Sequence, residues 1–147
     1  MSLKARIQDD MKAALRSKDQ ARLDSIRMLI AAIQRREVDE RIKLDDTQVM
    51  AVVEKAIKQS RDAIAQFQQG GRTDLADKEQ RDIAVWQAYL PSPLSEAEID
   101  ALIAEAIAAT GAQSIKDMGK VVAGLKPKMQ GRADMAVVSA KVKQRLA

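Results

Sequence analysis

Pro91 and Pro93 constrain the fold of this chain more than any other pair of residues. A proline inside a helix removes a backbone hydrogen bond and clashes with the preceding turn, so we expect no helix to run through residues 91–94. Ser95 and Glu98 follow at the spacing of a capping box, which is typical of a new helix start. The sequence therefore predicts two helical domains, residues 1–91 and residues 92–147.

Apolar residues before this break recur at helical spacing in four segments. The first segment covers about residues 3–16, and the second begins near Asp19. A mixed polar connector at 37–44 precedes the third segment, which Asp45 or Asp46 can cap and which ends at Gly70–Gly71. Thr73 begins the fourth. We therefore expect four helices in the N-terminal domain.

Three further helices are predicted after the break. The helix that begins behind Ser95 ends at Gly111, because glycine is favoured just past a helix end. Ser114 and Asp117 then predict a short helix through about Gly124, and a last apolar stripe runs from Met135 to Leu146. The second domain is thus expected to contain three helices.

The composition supports an all-α fold. Aromatic residues make up 2% of the chain and apolar residues 46%, so the core must be built from aliphatic side chains. Glycine and proline are few, with 6 and 3 residues. This combination favours helices packed on helices over sheets.

The absence of cysteine and histidine excludes several kinds of chemistry. Thiol nucleophiles, disulfides, zinc clusters and Ser-His-Asp triads all need these side chains. We therefore expect no catalytic site, no metal and no cofactor on this chain. Residues 1–20 lack the continuous apolar segment of a signal peptide, and no run is long and apolar enough to span a membrane. The sequence therefore predicts a cytoplasmic protein with no membrane partner.

Positive charge is concentrated near the C-terminus. The whole chain has 25 Lys and Arg against 21 Asp and Glu, a net charge of +4. Residues 116–145 alone carry eight basic and two acidic residues, a net charge of +6. Gly119 and Gly124 have the glycine spacing of a phosphate-binding P-loop, but the lysine comes one position late and no hydroxyl follows it, so we reject a nucleotide site.

On a helical wheel, an apolar arc that faces the core is formed by Ile115, Met118, Val122 and Leu125. Lys116, Lys120, Ala123 and Gly124 fall on the opposite side. Two positive side chains thus flank a strip with almost no side chains, where a phosphate backbone can approach closely. The predicted polyanion-binding residues are Lys116, Lys120, Gly124, Lys126, Lys128 and Arg132. The alternative is a solvated basic face whose glycines only end helices. The residues alone leave both interpretations open.

Two other groups of residues have competing interpretations. Four acidic residues, Asp74, Asp77, Glu79 and Asp82, suggest a metal site or a carboxylate pair, but the neighbouring basic residues favour an ion-pair network instead. Trp86 and Tyr89 have the chemistry to stack on an unpaired base. Trp86 continues an apolar stripe, which favours packing in the core or at a domain interface.

Four segments together resemble the GatB/YqeY family: residues 22–37 (RLDSIRMLIAAIQRRE), 71–99 (GRTDLADKEQRDIAVWQAYLPSPLSEAEI), 114–125 (SIKDMGKVVAGL) and 131–146 (GRADMAVVSAKVKQRL). They span nearly the whole chain in the family's order. Two positions depart from the family pattern, which commonly has Met where Val122 stands and Gly where Met135 stands.

The resemblance implies a helical N-terminal domain and a three-helix tail domain. In the B subunit of the tRNA-dependent amidotransferase, a similar tail helps to hold tRNA, while the kinase and amidase sites lie elsewhere. A YqeY-like module can also be appended to glutaminyl-tRNA synthetase. Lys116, Gly119 and Lys120 match the tail motif. A structural or interdomain motif is implied for Arg72, Asp74, Glu79, Trp86, Tyr89 and Pro91.

We therefore expect a non-catalytic module that binds tRNA weakly by itself or assists a tRNA-charging or tRNA-amidating enzyme in translation. Any carbon–nitrogen ligase activity with glutamine as amido donor would come from partner subunits. The alternative function is a helical protein-interaction adaptor without direct RNA binding. Its docking edge would be Arg35, Arg36 and Arg41, facing an acidic partner.

Overall fold

The computed structural model describes all residues from Met1 to Ala147 and confirms the predicted all-α class. It contains seven α-helices, one 3-10 turn at Ile115–Asp117 and no strand. The helices are α1 (Leu3–Arg16), α2 (Gln20–Glu40), α3 (Asp46–Gln69), α4 (Thr73–Gln87), α5 (Glu96–Thr110), α6 (Met118–Met129) and α7 (Met135–Leu146). None of them combines the length and apolar character needed to cross a membrane.

The chain divides into two compact units, Met1–Leu90 and Pro91–Ala147. Helices α1 to α4 belong to the first unit, and α5 to α7 belong to the second. That each unit is a domain able to fold by itself stays a prediction.

Aliphatic side chains at helical spacing form the core of the first unit. Ile7 of α1, Ile26 and Ile33 of α2 and Val49 and Val53 of α3 are all buried in one cluster. Fully burying such a side chain contributes about 1.5–3 kcal/mol. The helices are therefore held mainly by their apolar faces rather than by intrinsic helix propensity.

All the aromatic residues of the protein lie in the first unit. Trp86 is buried, and its indole Nε1 donates a hydrogen bond to the Ser25 carbonyl oxygen at 2.8 Å. The Ser25 hydroxyl donates in turn to the buried Asp82 carboxylate. Tyr89 is also buried, while Phe67 is half-buried. Neither the Trp86 ring nor the Tyr89 ring is free to stack on a nucleic-acid base.

The second unit has a smaller core of the same kind. Ile103 of α5, Val121 and Leu125 of α6 and Val138 and Val142 of α7 are buried together. This core fixes the orientation of α6, so the opposite face of that helix is turned to solvent.

Several predicted helix boundaries are confirmed by their caps. Asp45 and Gln48 form a capping box at the start of α3, and Ser95 and Glu98 form one at the start of α5. Gly111 ends α5 in the left-handed conformation, with φ of 65°. Such caps satisfy backbone groups that the helix itself leaves unpaired.

The predicted end of the second helix is wrong. Residues 37–40, expected to belong to a polar connector, form the last turn of α2. The helix ends only where Arg41 turns into the left-handed region, with φ of 54°. Glu37 explains the extension, because its carboxylate accepts hydrogen bonds from Lys4 Nζ and from the Leu44 amide.

The short helix predicted through Gly124 is also wrong in its length and in its cap. Helix α6 continues through Gly124 and Pro127 to Met129, because Leu125 and Met129 are both buried in the core. Ser114 makes no side-chain cap, and a 3-10 turn precedes the helix. That turn leaves Ile115 exposed, although the sequence placed it on the core-facing side.

Candidate nucleic-acid interface

Besides Lys128, the exposed surface of α6 and of the turn before it carries three lysines, Lys116, Lys120 and Lys126. None of them forms an ion pair with a carboxylate of the protein, whereas Lys128 and Lys141 do. We call the surface formed by Lys116, Gly119, Lys120, Ala123, Gly124 and Lys126 the lysine face. All six of these residues are exposed. The central part of the predicted binding surface is thus open to solvent on α6 and on the turn before it.

The two glycines of the lysine face are not required by the backbone. Neither Gly119 nor Gly124 has a positive φ, and a Cβ added at either position would meet no atom within 4 Å beyond the neighbouring residues and the backbone of its own helix. Glycine inside a helix costs about 1 kcal/mol relative to alanine. Their presence therefore lowers helix stability without any steric reason within this chain.

Pro127 adds a second departure from ideal helix on the same side. It lies inside α6 and is exposed. Because proline has no N–H, it cannot donate the usual helical hydrogen bond to the carbonyl of Ala123, four residues earlier. Ala123 is itself exposed. The lysine face therefore combines lysine side chains with backbone that is poorly covered, because Gly119, Ala123 and Gly124 have little or no side chain.

The outer members of the predicted surface have partners within the second unit. Lys128 Nζ lies 3.7 Å from a carboxylate oxygen of Glu105. Arg132 is half-buried, and its Nε donates a hydrogen bond to the Ser92 carbonyl at 3.0 Å. The carbonyl of Arg132 also accepts the Leu94 amide at 2.8 Å. Arg132 thus holds the start of the second unit through hydrogen bonds to Ser92 and Leu94. Lys116, Lys120 and Lys126 make no comparable contact.

One acidic group lies within the lysine-face sequence. The Asp117 carboxylate accepts the Gln113 amide at 3.0 Å. This hydrogen bond lowers the pKa of Asp117, and the nearby positive charge of Lys120 acts in the same direction. Asp117 is therefore ionised at neutral pH and offsets part of the positive charge at the start of α6.

Charge on the other helices of the second unit is arranged differently. Lys141 of α7 donates to Asp100 at 3.0 Å and to Glu96 at 3.2 Å, and these carboxylates raise its pKa. Lys143 and Arg145 are exposed at the end of α7. The C-terminal positive charge is thus partly neutralised at Lys141 and open to solvent on the lysine face.

The motif residues implied by the resemblance lie mostly in the first unit. Arg72 forms a two-bond contact with Asp74, at 3.1 and 3.2 Å, and this contact lowers the pKa of Asp74. Glu79 accepts a hydrogen bond from the Ser60 hydroxyl at 2.6 Å. Pro91 is exposed at the start of the second unit. No group of three acidic side chains is placed to hold a metal ion.

The arginines of the alternative adaptor edge do not form one surface of free charges. Arg36 is held by Glu40 and by the Gln48 carbonyl oxygen at 3.3 Å. Arg41 ends α2, whereas Arg35 is exposed and has no ion-pair partner. The sequence pattern placed Arg35 and Arg36 on the second helix and Arg41 in the connector at 37–44.

The sequence profile described as Yqey-like protein matches residues 4–146. The chain belongs to the YqeY-like family. The resemblance inferred from its motifs is thereby confirmed.

Curated relatives of this YqeY-like chain are named altered inheritance of mitochondria protein 41, mitochondrial. The protein from Eremothecium gossypii is 36% identical over 96 residues, covering 64% of this chain and 52% of the relative. The one from Pyrenophora tritici-repentis is 32% identical over 143 residues, covering 95% of this chain and 78% of the relative. The one from Lachancea thermotolerans is 32% identical over 145 residues, covering 94% of this chain and 78% of the relative. The chain thus spans between about half and three quarters of these relatives.

The predicted cytoplasmic location is contradicted by these relatives. Each of the three is named as a mitochondrial protein, which points to mitochondria rather than the cytoplasm. The sequence argument failed because it tested only for an apolar secretion signal or a membrane span. A protein in the aqueous interior of an organelle needs neither.

Proposed function

We propose that this YqeY-like chain is a non-catalytic module that contacts tRNA through the lysine face and assists an enzyme that charges or amidates tRNA. The main support is the pair of glycines without a steric role, Gly119 and Gly124, placed among three unpaired lysines. A close-approaching partner gives a reason to keep glycine where alanine would make a more stable helix. Unpaired lysines beside the strip suit a partner with phosphate groups.

The chemistry of the second unit favours a folded RNA over a small anion. Residues 116 to 126 extend over roughly 15 Å at helical rise, enough to reach several phosphates along a backbone. The unit contains no aromatic residue, so it has no platform on which to stack an unpaired base. Binding through phosphates and backbone shape is therefore expected, with little dependence on base sequence.

Catalysis is assigned to a partner enzyme. Neither cysteine nor histidine is present in the chain, so it lacks a thiol nucleophile and the commonest general base for activating a serine. We infer further that the two units are separate domains of four and three helices. In this proposal the second domain makes the tRNA contact, and the first is free for another task.

Binding of labelled tRNA, followed by fluorescence anisotropy at several salt concentrations, tests the proposal. Three phosphate contacts give a slope of roughly −2 to −3 for the logarithm of affinity against the logarithm of salt concentration. Lys116→Gln with Lys120→Gln should weaken binding and reduce the size of the slope by about 2. The control is Lys55→Gln with Lys58→Gln, which removes two exposed, unpaired lysines of the first unit.

Gly124→Leu separates a binding role from a structural one. Leucine favours helix over glycine by roughly 0.5–1 kcal/mol, and the space around Gly124 is open, so the variant should resist urea better. The same side chain should block backbone approach and weaken tRNA binding. A variant that is more stable but binds tRNA unchanged would remove the main support for the lysine face.

Three other outcomes would change the proposed function. A larger effect from the control pair would place the tRNA contact in the first unit. No effect from any variant would favour the adaptor function without direct RNA binding. Amidation of mischarged tRNA by the purified chain, with release of ammonia from glutamine, would contradict the non-catalytic assignment.

A further inference from the structure

A groove lies on the first unit between α2 and α3. It consists of two adjoining depressions of about 540 and 430 Å³, the second of which reaches α4. Ala32, Arg35, Ala56 and Gln59 line both depressions, so the two form one continuous surface feature. No part of the proposed tRNA contact involves these residues.

The dimensions of the groove suit one helix. Its α2 side extends from Met28 to Glu40, and its α3 side extends from Ala51 to Ala63. At 1.5 Å of rise per residue, each side is about 18 Å long, which corresponds to roughly three turns of a partner helix. The α2 positions nearest Glu40 share a depression with the α3 positions nearest Ala51, so the two sides run antiparallel.

The floor of the groove is small and apolar. Ala32, Val52, Ala56 and Ala63 contribute side chains with no polar atoms. Small side chains allow the backbone of a neighbouring helix to come close. At one end Met28, with an exposed fraction of 46%, offers a flexible apolar side chain of the kind found at adaptable binding surfaces.

The polar groups that reach the floor already have partners. The Ser60 hydroxyl donates to Glu79 at 2.6 Å, and the Trp86 indole donates to the Ser25 carbonyl. Ser60 and Trp86 are the buried polar side chains that line the groove, and neither requires a hydrogen bond from an occupant, while Gln59 is exposed to solvent. The side of the occupant that enters the groove should accordingly be apolar.

The charges on the rim select the flanks of the occupant. Arg35 on α2 and Lys55 on α3 are both exposed and have no ion-pair partner, whereas Arg36 is held by Glu40. Carboxylates of an occupant would complement the free cations. Asp39 and Glu40 line the same depression and would repel a chain of phosphates, which disfavours nucleic acid.

We propose that this groove binds an amphipathic helix of a partner protein, with its apolar side on the alanine floor and acidic side chains beside Arg35 and Lys55. This is the helix-in-groove type of recognition, in which apolar anchors recur every three or four residues. The interaction is independent of the lysine face. It would allow one chain to hold an enzyme through the first unit and tRNA through the second.

Two fluorescein-labelled helical peptides of three to four turns test the proposal against the full chain. Both carry alanine and leucine at helical spacing, and one has glutamate and the other lysine on the flanks. Binding measured by anisotropy should favour the glutamate peptide by about tenfold, the value expected for two exposed ion pairs. Arg35→Glu with Lys55→Glu should reverse this preference.

Gln59→Trp provides a second test, because Gln59 is exposed and lines both depressions, so a large ring fills the groove without entering the core. It should abolish binding of both peptides. The matched control for the double reversal at Arg35 and Lys55 is Arg27→Glu with Lys58→Glu, which reverses one arginine of α2 and one lysine of α3 outside the groove. Circular dichroism and thermal unfolding check that every variant is folded.

Several outcomes would overturn the proposal. These are no binding of the glutamate peptide, an equal affinity for both peptides, or a preference that survives the double reversal at Arg35 and Lys55. Self-association of the unmodified chain in sedimentation that Gln59→Trp abolishes would assign the groove to a second copy of the chain. Loss of tRNA binding in the Arg35 and Lys55 variant would assign it to RNA.

Discussion

Tyr89 joins the segment after α4 to α1. Its hydroxyl donates a hydrogen bond to the Asp10 carboxylate at 2.6 Å, and the Arg6 guanidinium lies 5.1 Å from the ring centre. Burial raises the pKa of the Tyr89 phenol above its ordinary value of 10.0, and the Asp10 carboxylate raises it further. Ionisation would replace a donor by an anion facing Asp10, so the folded state strongly favours the neutral phenol.

The raised pKa of Tyr89 predicts a loss of stability in alkali. A group with a higher pKa in the folded than in the unfolded chain contributes stability below the unfolded value, and this contribution is lost as the pH rises through the folded pKa. Ultraviolet absorption of the single tyrosine should therefore show tyrosinate near pH 10 in urea, but at clearly higher pH in the folded chain. The free energy of unfolding of Tyr89→Phe should fall less steeply than that of the unmodified chain as the pH rises between these two values. Identical titrations in the two states would contradict the prediction.

At the scale of elements, α6 is the helix with the most evident conflict between local sequence and packing. Gly124 and Pro127 both disfavour its continuation, yet it runs to Met129. Leu125 and Met129 are almost completely buried, so apolar packing offsets the lost backbone hydrogen bond. The buried face with Leu125 and Met129 therefore holds α6 in place, while Gly124 and Pro127 on the exposed face weaken it.

Replacing Pro127 with alanine should therefore stabilise the protein. The new N–H can donate to the Ala123 carbonyl, and the ring no longer crowds the preceding turn, so we expect a gain of about 1–3 kcal/mol in urea unfolding monitored by circular dichroism. Pro93→Ala is the control, because Pro93 lies outside any helix and its loss should be neutral or slightly destabilising through the unfolded chain. A destabilising effect of Pro127→Ala would contradict the inference that Pro127 weakens α6.

Sequence predicted where helices begin better than where they end. Asp45 and Ser95 start helices through contacts with residues three positions away, and such signals are visible in a short stretch. The ends of α2 and α6 depend instead on distant groups, such as Lys4 beside Glu37 or the core around Met129. Local polarity and glycine were therefore misleading at these ends.

The same limit applies to the two candidate sites. Helix periodicity alone placed Lys116 and Lys120 on the side opposite the apolar arc, so the sequence could predict that these two side chains are exposed on one side. It placed Lys126 and Lys128 beyond the expected helix end at Gly124, whereas α6 in fact continues to Met129. It could not predict that Arg132 is engaged with Ser92, since these residues are 40 positions apart. The groove between α2 and α3 was missed for a related reason. Its existence depends on the spacing between two packed helices, for which a single sequence carries no direct signal.

On the scale of the whole molecule, the two units differ in what holds them together. Hydrogen bonds from the buried residues Trp86 and Tyr89 supplement the larger aliphatic core of the first unit. The second unit depends on a smaller core and on α6, whose exposed face contains a proline. If the units are separate domains, the second should be the less stable, and the chain should not unfold in one two-state transition.

The placement of Trp86 and Tyr89 has a spectroscopic consequence. Ultraviolet-excited emission arises only from the first unit, whereas far-ultraviolet circular dichroism reports helices in both. On heating, ellipticity should begin to fall before the Trp86 emission shifts, and coincident curves would instead indicate a single cooperative structure. Under mild denaturation, the half of the molecule with the lysine face could thus melt while the emission of the protein still looks native.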